Sequence, residues 1–329
     1  MTFSRTSRRR ALKLGLAASL VAPGVARAQD GWPPATITWI NPFPAGGGTD
    51  VFARPLAAQV GEQLGCQIII DNRGGAGGTV GASMAAKMKP DGSVFFVGAV
   101  HHTIAPSVYK TLDYDLEKDF VPITMIALVP QVISINPSRI PVRTAAELIA
   151  YVRANPGKVN FASSGVGTAH QLAGELFKLE TKTEMIHVPY RGAGPAMQDL
   201  LAGNVDMMFD GMGTSASQIR AGRLRGLAVA AAKRSEEFPD IPTAAEIGLP
   251  NWIVSTWYGL WALRGTPQPI VDRLYAEMAK AMALPKLQAI WKEQAAQMGG
   301  ETPAEFAKRI RSEIEKWQKV VAAAGVKLE

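Results

Sequence analysis

Apolar residues along the chain alternate between short β-type runs and longer runs with helical spacing. "ATITWINPF" is rich in β-branched and aromatic residues, and "VFARPLAAQVGEQLG" after it carries apolar residues on one helix face before a glycine stop. "CQIIID" and "SVFFVGAV" are typical of buried strands, with a helix at "ASMAAKMKPDG" between them. Strands that alternate with helices in this way predict an α/β fold with a parallel sheet and helices on both faces.

The same rhythm begins again after the extended stretch "KDFVPITMIALVPQVISIN". Strands at "KVNFASS", "TEMIHVPY", "VDMMFDG" and "LRGLAVAA" alternate with helices, and the tail adds the aromatic strand "WIVSTWYGLWAL" and long helical stretches. We therefore predict two lobes, each with its own sheet, joined by two hinge crossings near residues 130 and 255. Lobe 1 would comprise residues 29–130 and 255–329 and lobe 2 residues 131–254, and such lobes can close around a ligand.

The amino-terminal segment has the pattern of an export signal. Arg8, Arg9 and Arg10 precede an apolar run that ends in the small-residue pattern "ARA" at Ala28. This order is typical of a twin-arginine signal peptide that is cut after Ala28. The apolar run is too short to span the roughly 30 Å of a bilayer core. We therefore predict that residues 1–28 are removed and that the mature protein is soluble in the periplasm.

The basic character of the chain belongs to this leader. The whole chain has a formal charge of +7, but its first 28 residues hold six of the 35 Lys and Arg and no acid. The remainder therefore has 29 basic and 28 acidic residues, a formal charge of +1. This balance gives no support for a nucleic-acid partner, which needs a basic stripe on the folded domain.

Composition and spacing also argue against several kinds of site. The single cysteine, Cys66, cannot form an internal disulfide, and the four histidines include no pair three or four residues apart on one helix, as a metal site would need. "GGAGGTVG" follows a strand, but the spacing from Gly77 to Gly81 is one residue too long for a dinucleotide fingerprint. We expect neither a metal nor a cofactor.

Two glycine-rich loops each join a predicted strand to a predicted helix, in "INPFPAGGGTD" and in "ASSGVGTAH". The first amides of a helix have no intrahelical partner, and the helix dipole favours an anion there. Glycines would let a ligand approach these amides, while Thr49 and Asp50 are predicted to cap the first helix. The two loops therefore predict two anion cradles, one in each lobe.

The ordered series "PFPAGGGTD", "DNRGGAGG", "HVPYRG", "LLAGNVDMMFD" and "GRLRGLAVAAAKRS" resembles the Bug-type receptors, the extracytoplasmic substrate-binding proteins of tripartite tricarboxylate transporters. The likeness runs from about Trp32 to the carboxyl terminus. It implies an α/β, two-lobed periplasmic binding protein of type II-like architecture, with two sheets and two hinge crossings. It also implies a monomer that performs no chemistry and carries a small carboxylate to integral membrane transporter subunits.

The resemblance implies a set of ligand-binding residues. They are Phe43, Ala45, Gly46, Gly47, Thr49 and Asp50 in the first loop, Ser163, Ser164, Gly165, Gly167 and Thr168 in the second, and Asp210 in "MFD". In "GAVHHTIAP", where similar proteins tend to carry small polar residues, His101 and His102 are predicted to lie in a loop after a strand. We include His101 in the predicted site, with the hypothesis that it tunes which acid is accepted.

Two alternatives differ from this interpretation. Ser164 precedes a glycine in a strand-to-helix turn and His170 follows nearby, so an exported hydrolase could use them as nucleophile and base. Hydroxyl groups are equally good neutral donors to an anion. The other alternative is a protein with the same pocket that presents its ligand to a membrane sensor instead of a transporter.

Overall fold

The computed structural model describes residues 31–324, and the predicted signal peptide, residues 1–28, lies outside this range. No helix in the described part of the chain is long and apolar enough to cross a bilayer. The first elements are β1 (Thr36–Asn41), α1 (Gly48–Leu64), β2 (Gln67–Asn72), a short 3-10 turn (Ala76–Gly78), α2 (Thr79–Ala86), β3 (Val94–Ala99), α3 (His101–Val108) and the long strand β4 (Phe120–Ile135). The predicted strands are confirmed, whereas α3 was not predicted.

The remaining elements continue the alternation. They are α4 (Ala145–Ala154), β5 (Asn160–Ser163), α5 (Ala169–Thr181), β6 (Ile186–Pro189), α6 (Ala193–Ala202), β7 (Met207–Gly211), α7 (Met212–Arg220), β8 (Arg225–Val229), β9 (Ser255–Leu263), α8 (Gln268–Met282), α9 (Pro285–Glu293), β10 (Gln297–Met298) and α10 (Pro303–Ala324). Pro55 lies inside α1, which is assigned as one helix of 17 residues.

Two sheets share the long strand β4, and their combined strand order is β2-β1-β3-β9-β4-β7-β5-β6, with β8 and β10 also paired to β4. The pairs β1–β2, β1–β3, β5–β6 and β5–β7 are parallel, as predicted. The parallel arrangement does not extend through both sheets, because β9 runs antiparallel to both β3 and β4. The strand β9 comes from the carboxyl-terminal part of the chain and is inserted between strands that precede it by more than 100 residues.

The strand β4 changes partner near the predicted first crossing. Its residues up to Pro130 pair with β9, and those from Gln131 onward pair with β7. The strand β9 begins at Ser255 opposite Pro130, so both extended crossings lie side by side. The exact division of the chain into lobes at residues 130 and 255 stays a prediction.

Aromatic residues form the core beside β9. Trp252, Trp257 and Trp261 are at most 2% exposed. The ring of Phe306, on α10, lies 4.9 Å from the ring of Trp261 and 5.5 Å from that of Trp257. Burial of such large rings contributes strongly to stability. The last helix is thereby packed onto β9 and the sheet that carries the first loop.

Candidate ligand-binding site

The first glycine-rich loop joins β1 to α1, as predicted, but its helix cap differs from the prediction. Gly47 is the N-cap residue, with φ −80° and ψ 170°, and no side chain caps the helix there. Thr49 and Asp50 instead lie in the first turn of α1. The physical reason is that Asp50 reaches back and accepts a hydrogen bond from the Gly46 amide at 3.2 Å, while Gly46 itself adopts a φ of 80° that favours glycine.

Asp50 organises this loop through several hydrogen bonds. Its carboxylate accepts from Nε of Arg54 at 2.7 Å, from Nδ2 of Asn72 at 3.1 Å and from Nδ2 of Asn41 at 3.3 Å. Burial raises the pKa of Asp50, but the hydrogen bonds from Arg54, Asn72 and the Gly46 amide outweigh it, and the pKa lies below its usual value. Asp50 is therefore ionised, and its oxygens are already used to hold the loop.

The second loop joins β5 to α5, and Thr168 is the N-cap of α5. Its Oγ1 donates to the Gly165 carbonyl at 2.7 Å and accepts from the amide of Gln171 at 3.5 Å. The amide of Gly167 donates to Oε1 of Gln171 at 2.8 Å, and the amide of Gly165 donates to Oγ of Ser163 at 3.1 Å. Several amides that were predicted to be free to bind an anion thus already donate hydrogen bonds within the protein.

The two adjacent serines of this loop differ in their surroundings. Oγ of Ser163 lies 2.6 Å from Nε2 of His187 and also donates to the Gly165 carbonyl. Oγ of Ser164 is buried and has no hydrogen-bond partner among the described residues. Leaving a buried hydroxyl without a partner costs about 1–3 kcal/mol, so such an atom is a candidate for binding a ligand.

Asp210 lies near the carboxyl end of β7 and is completely buried. One carboxylate oxygen, Oδ2, accepts from Oγ of Ser215 at 2.6 Å and from the hydroxyl of Thr214. The other, Oδ1, has no hydrogen-bond partner within the described residues and lies 3.8 Å from Nδ1 of His170, which also has none. Burial raises the pKa of Asp210 to about 6 and lowers that of His170 to about 3. A distance of 3.8 Å would allow an ion pair between the two side chains. Because His170 is neutral, no ion pair is formed.

His101 and His102 were predicted to lie in a loop, and this prediction is wrong. The strand β3 leads almost directly into α3, and both histidines are buried in the first turn of that helix. His102 contacts Ala99 through Nδ1 at 3.0 Å and the Gly78 carbonyl through Nε2 at 3.4 Å, so it has a structural role. Nδ1 of His101 instead accepts a hydrogen bond from the amide of Ala169, the first residue of α5, at 3.1 Å.

A continuous line of side chains connects the predicted parts of the site. The ring of Phe43 in the first loop lies 5.4 Å from the ring of His101, which lies 5.8 Å from the ring of His170. His170 in turn faces Asp210. The fold therefore brings the first loop, the amino end of α5 and the end of β7 to one place.

Glycines at this place allow close backbone contacts that the sequence analysis missed. A methyl group at Gly194 would lie 2.8 Å from the Ala45 carbonyl oxygen, and one at Gly77 would lie 2.7 Å from the carbonyl oxygen of Val166. Both distances are shorter than real Cβ contacts. The signal was present in "NRGGAGG" and "YRGAG", where several glycines are clustered. These glycines let the loops of the two predicted lobes meet.

The serine and histidine of the hydrolase alternative do not form a pair. Ser164 and His170, the nucleophile and base of the hydrolase alternative, are not hydrogen-bonded to each other, because Oγ of Ser164 and Nδ1 of His170 both lack partners among the described residues. Within the same residues, no three His, Cys, Asp or Glu side chains are grouped so that they could hold a metal ion.

Comparison with known proteins gives a consistent result. Residues 52–326 match the model of the family described as tripartite tricarboxylate transporter family receptor. The chain is 35% identical to protein BugT of Bordetella pertussis over 302 residues, which cover 91% of this chain and 92% of BugT.

Two solved structures extend this likeness. Rpa4515 of R. palustris, solved with adipate, is 37% identical, has a TM-score of 0.87, and the match covers 90% of this chain and all of that one. MatC of Rhodopseudomonas palustris, solved with bound malate, is 33% identical, has a TM-score of 0.83, and the match covers 88% of this chain and all of MatC. The predicted fold of a periplasmic binding protein is thereby confirmed. The chain belongs to the family of tripartite tricarboxylate transporter receptors.

Proposed function

We propose that this receptor binds a small carboxylate between the first loop, the amino end of α5 and the end of β7. It performs no chemistry and hands the ligand to the integral membrane subunits of a tripartite transporter. The observation that carries the proposal is the buried Oγ of Ser164, which has no partner within the described residues and lies in the loop before α5. Family membership and the adipate and malate in related structures support a carboxylate as the ligand.

The ligand-binding groups follow from which donors are still free. The amides of Gly48 and Thr49 precede the first intrahelical bond of α1, and Ser164 offers its hydroxyl. Hydrogen bonds to a charged group contribute about 1.5–3 kcal/mol each. The three named donors would together contribute about 4.5–9 kcal/mol, which offsets the lower part of an association cost of about 4–15 kcal/mol. A micromolar complex, at roughly −8 kcal/mol, therefore needs further donors besides these three.

The same proposal covers location and assembly. The receptor is exported through its twin-arginine leader, loses residues 1–28 and acts as a soluble periplasmic monomer. Its two lobes, residues 29–130 with 255–329 and residues 131–254, close around the acid.

A thermal-shift screen with mono-, di- and tricarboxylates, amino acids and aromatic acids tests the proposal. A ligand that binds only the folded protein raises its melting temperature by mass action. We expect shifts with one group of carboxylates, and the absence of any shift would overturn the assignment. Hydrolysis of an ester or amide panel that Ser164→Ala abolishes would favour the hydrolase instead. Capture of a membrane sensor by the loaded receptor would favour the ligand-presenting alternative.

A further inference from the structure

A histidine in the first turn of α3 caps α5, the helix that follows the second loop. Nδ1 of His101 accepts the amide hydrogen of Ala169 at 3.1 Å, although the two residues are 68 positions apart. The other satisfied amides of this region have partners in their own loop or helix, namely Ser163, Gln171 and Thr168. His101 therefore links α3 to the amino end of α5 at the point where the second loop ends.

This contact determines where the imidazole carries its proton. A ring nitrogen that accepts an amide hydrogen must be unprotonated, so the proton of the neutral ring is on Nε2. Burial, with smaller contributions from His170 and His102, holds the pKa of His101 well below its usual value, and the ring stays neutral. His101 is therefore a hydrogen-bond donor through Nε2 and carries no charge.

The donor atom of His101 is still free. Nε2 has no hydrogen-bond partner within residues 31–324, and His101 as a whole is 4% exposed. The ring of His101 lies between that of Phe43, in the first loop, and that of His170, in α5. An N–H group with no partner among the described residues thus stands between the two halves of the proposed site.

We propose that His101 is a specificity-determining residue of this receptor, which holds the amino end of α5 through Nδ1 and donates from Nε2–H to a carboxylate of the ligand. The inference rests on the proposed function, because it assigns a role at the same site. A neutral donor orients a carboxylate without the affinity for every anion that a cationic side chain would bring.

Two isosteric variants separate the two roles. In His101→Asn, the side-chain oxygen takes the place of Nδ1 and keeps the acceptor for Ala169, while the Nε2 donor is lost. In His101→Gln, the side-chain amide takes the place of Nε2 and keeps the donor, while the cap on α5 is lost. His101→Ala removes both. Tyr109→Phe is a matched control, because it removes another bond to the second loop, the 3.3 Å contact from the Tyr109 hydroxyl to the Val166 carbonyl.

Calorimetry with adipate and malate, together with every other acid that the thermal-shift screen identifies, measures the effect. We expect binding to weaken about tenfold in each isosteric variant and about a hundredfold in His101→Ala, with less than about threefold change in Tyr109→Phe. The rank order of the acids should change in His101→Asn and not in Tyr109→Phe. Binding by His101→Ala within about twofold of the unsubstituted protein would overturn the proposal.

A second measurement does not depend on the ligand. A long-range ¹H–¹⁵N spectrum of the histidine rings assigns the tautomer of His101, and we expect the proton on Nε2. A proton on Nδ1 would overturn the inference even if carboxylates bind. If the unsubstituted protein binds no acid in the screen, the proposed function fails and the ligand role of His101 fails with it, while the spectrum still decides whether His101 caps α5.

Discussion

Oδ1 of Asp210 lies 3.8 Å from Nδ1 of His170, and neither atom has a hydrogen-bond partner in the described part of the chain. Burial raises the pKa of Asp210 to about 6, well above its usual value of 3.8. A carboxyl group with a raised folded-state pKa favours folding most below its unfolded pKa, and it loses that contribution as the pH rises through the folded pKa. Ionised Asp210 should therefore lower the free energy of unfolding above about pH 6.

Asp210→Asn tests this relationship. The variant keeps an acceptor for the hydroxyls of Ser215 and Thr214 but removes the buried charge. We expect both proteins to have similar unfolding free energies near pH 4, and the variant to be more stable by about 1–3 kcal/mol near pH 7.5. Thermal unfolding across this range measures the difference. The acid sensitivity that His101, His102 and His187 cause is common to the two proteins. A difference that does not change with pH would contradict the prediction.

Ser164→Ala should separate stability from binding. The substitution removes a buried hydroxyl that has no partner, so the ligand-free protein should be as stable or more stable by about 1 kcal/mol. Carboxylate binding should weaken about tenfold or more because one donor is lost. Ser163→Ala is the contrasting variant, since its hydroxyl bonds to Gly165 and His187, and we expect it to lower the melting temperature. Unchanged affinity in Ser164→Ala would show that the hydroxyl does not contact the ligand.

Gly194→Ala should hinder the approach of the two loops. The added methyl group would lie 2.8 Å from the carbonyl oxygen of Ala45, and backbone atoms cannot yield as a flexible side chain can. We expect ligand affinity to fall about tenfold or more, and small-angle scattering to show a more open protein in the presence of ligand.

Gly222→Ala controls for lost stability in that experiment. Its φ of 70° makes alanine unfavourable by about 1 kcal/mol, but open space surrounds the added methyl group. This variant should melt earlier and bind normally. Equal affinities of the Gly194 and Gly222 variants would contradict the proposed role of Gly194 in closure.

The export prediction can be tested in cells. Replacing Arg8 and Arg9 with lysine should retain the protein in the cytoplasm, because the twin-arginine route depends on both side chains. Arg5→Lys is the matched control and should leave export unchanged. Fractionation measures the distribution, and amino-terminal sequencing of the periplasmic form should begin at Gln29. Periplasmic protein from the double variant would contradict the route, and a different first residue would contradict the cleavage site.

The sequence by itself determined most elements and the order of the motifs. The apolar spacing of α1, the β-branched residues of β2 and the Gly203 stop after α6 are local signals, and the structure has helices and strands at these places. The two glycine-rich loops were correctly placed between a strand and a helix for the same reason. Information carried within a few neighbouring residues was sufficient for these features.

Only the tertiary structure decided which polar groups remain free to bind a ligand. The amide of Gly46 is used by Asp50 and that of Gly167 by Gln171, each four residues away, whereas that of Ala169 is used by His101, 68 residues away, a pairing that local spacing does not reveal. The insertion of β9 between β3 and β4 likewise joins strands that are far apart in the chain. Local patterns determine secondary structure because they act over one or two turns, whereas burial, pairing direction and unsatisfied hydrogen bonds are properties of the packed chain.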